Sequence, residues 1–304
     1  MSSGSKLVGF AVVAAGAATL IAVPLVGGAS QTSAPIGVVN APGALRFKGT
    51  MTTGIRPWVA VGGGAQCANY GTKSVNGRWR GTLHFTTVQG IPAAQLTNDT
   101  DPDPTAWPAQ SCNLSGPLAG KPGTLVLPSD ENIAMAVYIP SNPKIPNRTR
   151  RTNIGEWHLT TSIGPQPALA LMLYADRIQA FFDTGLWNGS SYQYNSRHPM
   201  AYAIPPRRLV PGAWNEIAFH VHWANDKSGN AQFYYRTRGG TWHNGSSVLN
   251  MPTVEHDSVG STGTSYVDNA PANYGAAFTT RYSVYATDVA ESPTSLASVK
   301  AVMP

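Results

Sequence analysis

Residues 152–161, TNIGEWHLTT, set a carboxylate and an imidazole two positions apart, Glu156 and His158, with Trp157 and Leu159 alternating against them. On an extended chain this spacing puts Glu156, His158 and Thr160 on one side and Trp157 and Leu159 on the other. The apolar side belongs in a core and the polar side in solvent. A neutral imidazole accepts a proton near pH 7, while a glutamate beside it favours the charged ring or orients it. Just upstream, NRTRR supplies Arg148, Arg150 and Arg151, and guanidinium pairs with carboxylate or sulfate through two parallel hydrogen bonds. Together these residues suit general acid–base chemistry on an anionic substrate; the plainer reading is polar cover on a sheet beside solvated arginines.

A second run, EIAFHVHW at 216–223, alternates as cleanly. Ile217, Phe219, Val221 and Trp223 share the core face, and Glu216, Ala218, His220 and His222 share the other. If this run and the Glu156–His158 strand belong to one concave sheet, their polar faces line a groove able to hold an extended polymer, with His220 and His222 as substrate contacts. Trp187, Tyr192 and Tyr194 in LWNGSSYQYN add rings that can stack on sugars from a loop.

The elements that must carry these groups are strands. Period-two patterning occupies 80–88, 132–139, 169–183 and 216–223, and breakers such as TDPDPTAWP, IPSNPKIPN and IPPRRLVPG stand between them. HWANDKSGNAQFYYR reads as two strands around a turn, hence a β-hairpin. Apolar residues nowhere recur at helical spacing through a full window. With 31 Gly and 24 Pro in 304 residues, the chain is predicted to be all-β, two antiparallel sheets packed face to face.

Charged residues are only 12% of the chain, yet the net charge is +6 and the pI about 9.4, so the field attracts polyanions. Acidic polysaccharide and nucleic acid both qualify, and the usual nucleic-acid-binding motifs are missing. MSSGSKLVGFAVVAAGAATLIAVPLVGGAS reads as an export segment, residues 1–30 serving as signal peptide or uncleaved anchor. A spacer covers 31–43 and one domain covers 44–304. The expected location is therefore secreted or cell-surface, with membrane contact only through an uncleaved N-terminus. Cys67 and Cys112 are the only cysteines; outside the cytosol they are expected to form a disulfide. Without CxxC spacing they make no zinc site, so no metal or cofactor is expected, a structural calcium ion being left open. A monomer is expected. The compact carboxylate motif of laminarinase-type hydrolases and the Gly-x-Ser-x-Gly elbow are both absent, which disfavours hydrolysis.

The order ENIAMAVYIPSNPK, IGEWH, GPQPALALMLYADRIQAFF and PGAWNEIAFHVHWANDKSGNAQFYYR resembles the heparin lyase I-like and glucuronan lyase-like polysaccharide lyases over roughly residues 130–290. The resemblance implies a concanavalin A-like jelly roll cleaving a uronic acid-containing polysaccharide by β-elimination. It carries the histidine of the family's Gln-Trp-His strand onto His158 as a catalytic residue, with Glu156 in place of the glutamine. The family's Lys-x-Gly-x-Tyr motif falls on PANYGAAF: Gly275 matches, but Asn273 and Ala277 stand where Lys and Tyr are expected. Tyr274 is the displaced candidate for proton donor, ahead of Tyr202 and Tyr282. The competing reading is a non-catalytic carbohydrate-binding or surface-adhesion module that has kept the groove and lost the catalytic tyrosine.

Overall fold

The computed structural model describes residues 47–49, 81–98, 125–126, 128–141, 152–158, 167–182, 186–187, 192–193, 200–254, 262–263 and 282–303. Their strands in chain order are β1 (Phe47–Gly49), β2 (Gly81–Val88), β3 (Ile91–Asn98), β4 (Leu125–Val126), β5 (Ser129–Tyr138), β6 (Thr152–His158), β7 (Pro167–Leu173), β8 (Ile178–Phe182), β9 (Leu186–Trp187), β10 (Tyr192–Gln193), β11 (Met200–Ile204), β12 (Trp214–Trp223), β13 (Asn230–Thr237), β14 (His243–Leu249), β15 (Thr262–Gly263) and β16 (Tyr282–Ser292). One helix among the described residues, α1 (Leu296–Ala301), follows.

The large sheet runs β14-β13-β12-β5-β16-β3-β2, with β1 also on β16; the small one runs β11-β8-β7-β6. Two short pairs, β10-β9 and β15-β4, stand apart from both. All pairings are antiparallel. This is the jelly-roll sandwich that the alternation predicts.

Alternating residues fill the space between the sheets. Ile217, Phe219 and Val221 of β12 and Ile133, Met135 and Val137 of β5 face Leu169, Leu171 and Leu173 of β7 and Ile178, Ala180 and Phe182 of β8, all of them buried. Trp157 of β6 spans the gap. Its ring stands edge-on to Phe219 at 5.1 Å and 89°, and Phe219 in turn lies 5.1 Å from Phe233 of β13. Such pairs contribute about 0.5–1.5 kcal/mol beyond the area they bury.

Three turns show how local chemistry sets the register. Gln89 and Gly90 both have positive φ, 52° and 79°, the backbone of a two-residue turn whose twist matches its strands, and Val88 sits opposite Ile91. In the predicted hairpin, the Asp226 carboxylate accepts from the backbone N–H (2.8 Å) and hydroxyl (2.6 Å) of Ser228, closing the link from β12 to β13. The Ser228 bonds hold the Asp226 carboxyl below the usual range. The third turn is a correction: 169–183 reads as one strand in the sequence, but the chain reverses through Tyr174–Arg177, the Tyr174 N–H donating to the Arg177 carbonyl at 2.9 Å. This yields β7 and β8, paired with Leu173 opposite Ile178.

The outer face of the large sheet holds a second apolar layer. Ala134, Ala136, Ala218 and Ala290 leave a shallow strip between Trp214 and Ile91, and Val299 and Met303 from and beyond α1 bury into it. The helix begins at Ser295, whose hydroxyl accepts from the Ser298 N–H at 3.1 Å. At six residues it is too short for a helical pattern to stand out, which explains why the sequence reading contains no helix. No helix among the described residues is long and apolar enough to cross a membrane.

Candidate functional site

Strand β6 is the edge of the small sheet, and its backbone runs antiparallel to β7 with Glu156 opposite Ala170, Trp157 opposite Leu169 and His158 opposite Pro167. Trp157 is fully buried, so the apolar half of the Trp-His pair anchors the strand as the alternation requires. The side chains of Glu156 and His158 lie outside the described residues, as does that of Trp187 in β9. Arg148, Arg150, Arg151, Tyr274, Cys67 and Cys112, along with the N-terminal segment 1–43, also fall outside them.

The face of the small sheet turned away from the core is apolar at its centre and open at one edge. Ala170, Met172 and Tyr174 are buried there beside the partly buried Phe181. Met200 and Tyr202 of β11 are 55% and 38% exposed. Gln179 of β8 reaches the Met200 sulfur at 3.3 Å. Arg177 sits over the Tyr174 ring at 4.1 Å and pairs with Asp176 at 2.8 Å, so its charge is already matched. Arg207 and Arg208 are exposed in the following loop, tied to the β7–β8 turn by the Arg207 N–H donating to the Asp176 carbonyl at 3.0 Å.

Register decides what Tyr202 can do. The rows across the sheet are Asn153, Met172, Gln179, Tyr202 and Glu156, Ala170, Phe181, Met200. Tyr202 therefore lies three strands from β6, roughly 14 Å at 4.8 Å per strand. No direct proton transfer links it to a residue of β6.

The histidines of β12 are placed differently from the shared groove considered for them. Their strand belongs to the large sheet, and since Ile217, Phe219 and Val221 face the core, His220 and His222 lie on that sheet's outer face. The two Glu/His strands thus belong to different sheets, and His220 and His222 do not share a face with β6. The reason is topological: among the described residues β12 pairs with β5 and β13, whereas β6 pairs with β7. Asp130 accepts from His222 Nδ1 at 3.0 Å and lies 3.2 Å from His220 Nε2. No group of three or more His, Cys, Asp or Glu side chains among the described residues is disposed to hold a metal ion.

Glu216 is a further correction, because alternation puts it on a solvated face and the structure buries it completely. It is bonded to the Arg236 Nε from β13, and Arg236 stacks over Trp242 at 4.6 Å. Burial raises the Glu216 carboxyl above its ordinary range, against the opposing hydrogen bond and charge of Arg236. Lys300 from α1 stands 5.2 Å from the same Trp242 ring centroid and 3.4 Å from that of Tyr234. Its ammonium is held below the ordinary lysine range, mainly by burial and then by Arg236. The sequence reading contained neither Arg236 nor Lys300; the signal was the parity of Arg236, directly opposite Glu216.

Two antiparallel sheets packed face to face in this strand order, with a helix on one outer face, form a jelly-roll sandwich. The fold matches the endo-β-1,4-glucuronan lyase of the fungus Trichoderma reesei with a TM-score of 0.57 at 13% identity, covering 84% of this chain and 98% of that one. Alginate lyases of the sea hare Aplysia kurodai (TM-score 0.46, 10% identity, 70% and 87% covered) and of a Chlorella virus (0.47, 12%, 70% and 89%) are also similar. No known family profile matches the chain, and no curated protein does.

Proposed function

We propose that this chain is an exported protein that cleaves a uronic acid-containing polysaccharide by β-elimination. The observation that carries the reading is the fold shared with a glucuronan lyase over nearly that enzyme's whole length, combined with a Glu-Trp-His strand whose tryptophan is locked between the sheets. In this reading a base on β6, His158, removes the proton α to the sugar carboxylate. Arg148, Arg150 or Arg151 neutralises that carboxylate, and Tyr274 protonates the leaving oxygen. Glu156 orients the imidazole or approaches the sugar, and Trp187, with the exposed row on β11, offers surface for stacking. Export and a Cys67–Cys112 disulfide belong to the same proposal.

A second reading rests on one specific observation, that Asn273 and Ala277 occupy the positions of the family's lysine and tyrosine. It makes the protein a carbohydrate-binding jelly roll without turnover. Incubation with glucuronan, alginate and glycosaminoglycans, following ultraviolet absorbance of the unsaturated product, separates the two. Product formation that disappears in His158→Ala supports the lyase; binding to the same polymers without product supports the module.

A further inference from the structure

The link from β11 to β12 holds an arginine where its backbone favours glycine. Arg207 has a φ of 65°, and the Arg208 N–H donates to the Pro205 carbonyl at 3.1 Å. Pro205, Pro206, Arg207 and Arg208 thus make a tight turn with Pro206 in its second position and the left-handed residue in its third, a geometry that ordinarily takes proline followed by glycine or asparagine. A long side chain at positive φ crowds its own carbonyl, so the turn is less stable with arginine there than with glycine. Reversing the chain does not call for that arginine, and a non-glycine residue held in this region is a signature of a functional position.

The surroundings hold this turn in place and leave its side chains free. The Arg207 N–H donates to the Asp176 carbonyl at 3.0 Å, tying the turn to the β7–β8 reversal. Immediately beyond it, Leu209 is buried in the core between the sheets, and the Asn215 side chain brackets Val210, accepting from its N–H and donating to its carbonyl, both at 3.0 Å. Pro206, Arg207 and Arg208 nevertheless stay exposed. The acidic side chain of the reversal, Asp176, is engaged by Arg177 at 2.8 Å, and Arg177 lies over the Tyr174 ring. Neither Arg207 nor Arg208 has a carboxylate partner among the described residues. We propose that Arg207 and Arg208 form an oxyanion site, taking a carboxylate or sulfate group of an acidic polysaccharide. Guanidinium binds such a group through two parallel N–H bonds, and presenting two of them on a fixed backbone avoids the ordering that a mobile loop would undergo on binding. The turn follows β11, three strands from β6, so binding here is separable from chemistry there; the site rests on the proposed function for its class of ligand alone.

The test is titration calorimetry of the full chain with three polymers: dextran sulfate, which carries sulfate but no uronate and so cannot be cleaved by β-elimination; alginate, whose only anion is carboxylate; and neutral dextran. Product formation from alginate is recorded in parallel. Arg207→Gly removes the charge and suits the backbone. It is expected to weaken binding of a charged polymer about tenfold, to leave dextran unaffected, and to keep or raise the melting temperature. A loss confined to dextran sulfate marks a sulfate site, and one confined to alginate a carboxylate site. Failure of the parent chain to bind either charged polymer overturns the proposal, as does unchanged affinity for both in Arg207→Gly and in Arg208→Gln, whether or not alginate is cleaved. A lower melting temperature in Arg207→Gly also overturns it, because the guanidinium would then be holding the fold. Weakened binding without any product from alginate upholds the site and counts against the lyase reading alone.

Discussion

On the outer face of the large sheet, polar groups are matched to one another: Glu216 to Arg236, Asn132 to Ser292, Asp130 to two histidines, and α1 covers the alanine strip. On the outer face of the small sheet, Met200 and Tyr202 are exposed and Gln179 is bonded to a thioether. The contrast separates two things that look alike in a sequence. Histidine and glutamate alternating along β12 belong to a surface that holds the molecule together, whereas the accessible aromatic and thioether groups lie on β11, in the same sheet as β6.

The largest effect is expected at Trp157, which belongs to β6 and fills the space between the sheets. Trp157→Ala is expected to cost about 3–5 kcal/mol in chemical denaturation, with loss of any activity that depends on β6. A smaller loss would mean that β6 is held by its backbone pairing alone. Next come the close approaches of backbone. A Cβ at Gly245 would stand 2.6 Å from the Tyr202 carbonyl oxygen, where β14 of the large sheet meets β11 of the small one, and Gly245→Ala should destabilise by about 1–3 kcal/mol. If the seam matters to the open row, Tyr202 fluorescence shifts in that variant as well.

Glu216 tests the closed face at intermediate size. With its carboxyl raised above the 4.5 of an unperturbed glutamate, the folded protein binds a proton that the unfolded chain has released. Stability therefore falls as pH rises from about 4.5 to the raised value. Glu216→Gln removes that segment of the profile, so urea midpoints measured across it should flatten; an unchanged slope would show that Arg236 keeps the group ionised. The smallest effect is expected on the open face. Tyr202→Phe should alter stability by about 0.5 kcal/mol or less and leave turnover of a uronate polymer unchanged, given its distance from β6. A large fall in turnover would place Tyr202 in the chemistry.

The faces of individual strands were legible in the sequence because parity is a local property. Ile217, Phe219, Val221 and Trp157 are buried where alternation puts them. Parity says nothing about what covers a face, and so Glu216 read as solvated while Arg236 and the six residues of α1 in fact close over that side of the sheet. Turns were legible where Gly, Asn or Asp–Ser chemistry marked them, as between β12 and β13. The reversal at Tyr174–Arg177 has no glycine or proline, and its one signal, the switch of core-facing positions from odd (Leu169, Leu171, Leu173) to even (Ile178, Ala180, Phe182), was hidden by the apolar residues Ala170 and Met172 on the other face of β7. The assignment of β6 and β12 to different sheets was out of reach for a stronger reason, since strand order is fixed by pairings between distant segments such as β5 with β12 and β16.

Strand β16 has a consequence for how the molecule is assembled. One edge of it pairs with β5, and the other is shared end to end by β3, opposite Tyr282–Ala286, and β1, opposite Val289–Glu291, with Asp288 at a φ of 34° between the two partners. The large sheet therefore keeps an unfilled slot in its middle until β16 arrives. A nascent chain leaving the ribosome would hold β1 and the β2–β3 hairpin apart from β5 until then, and folding should be slow, governed by contacts spanning most of the polypeptide. Such a chain stays threadable for as long as it is incomplete.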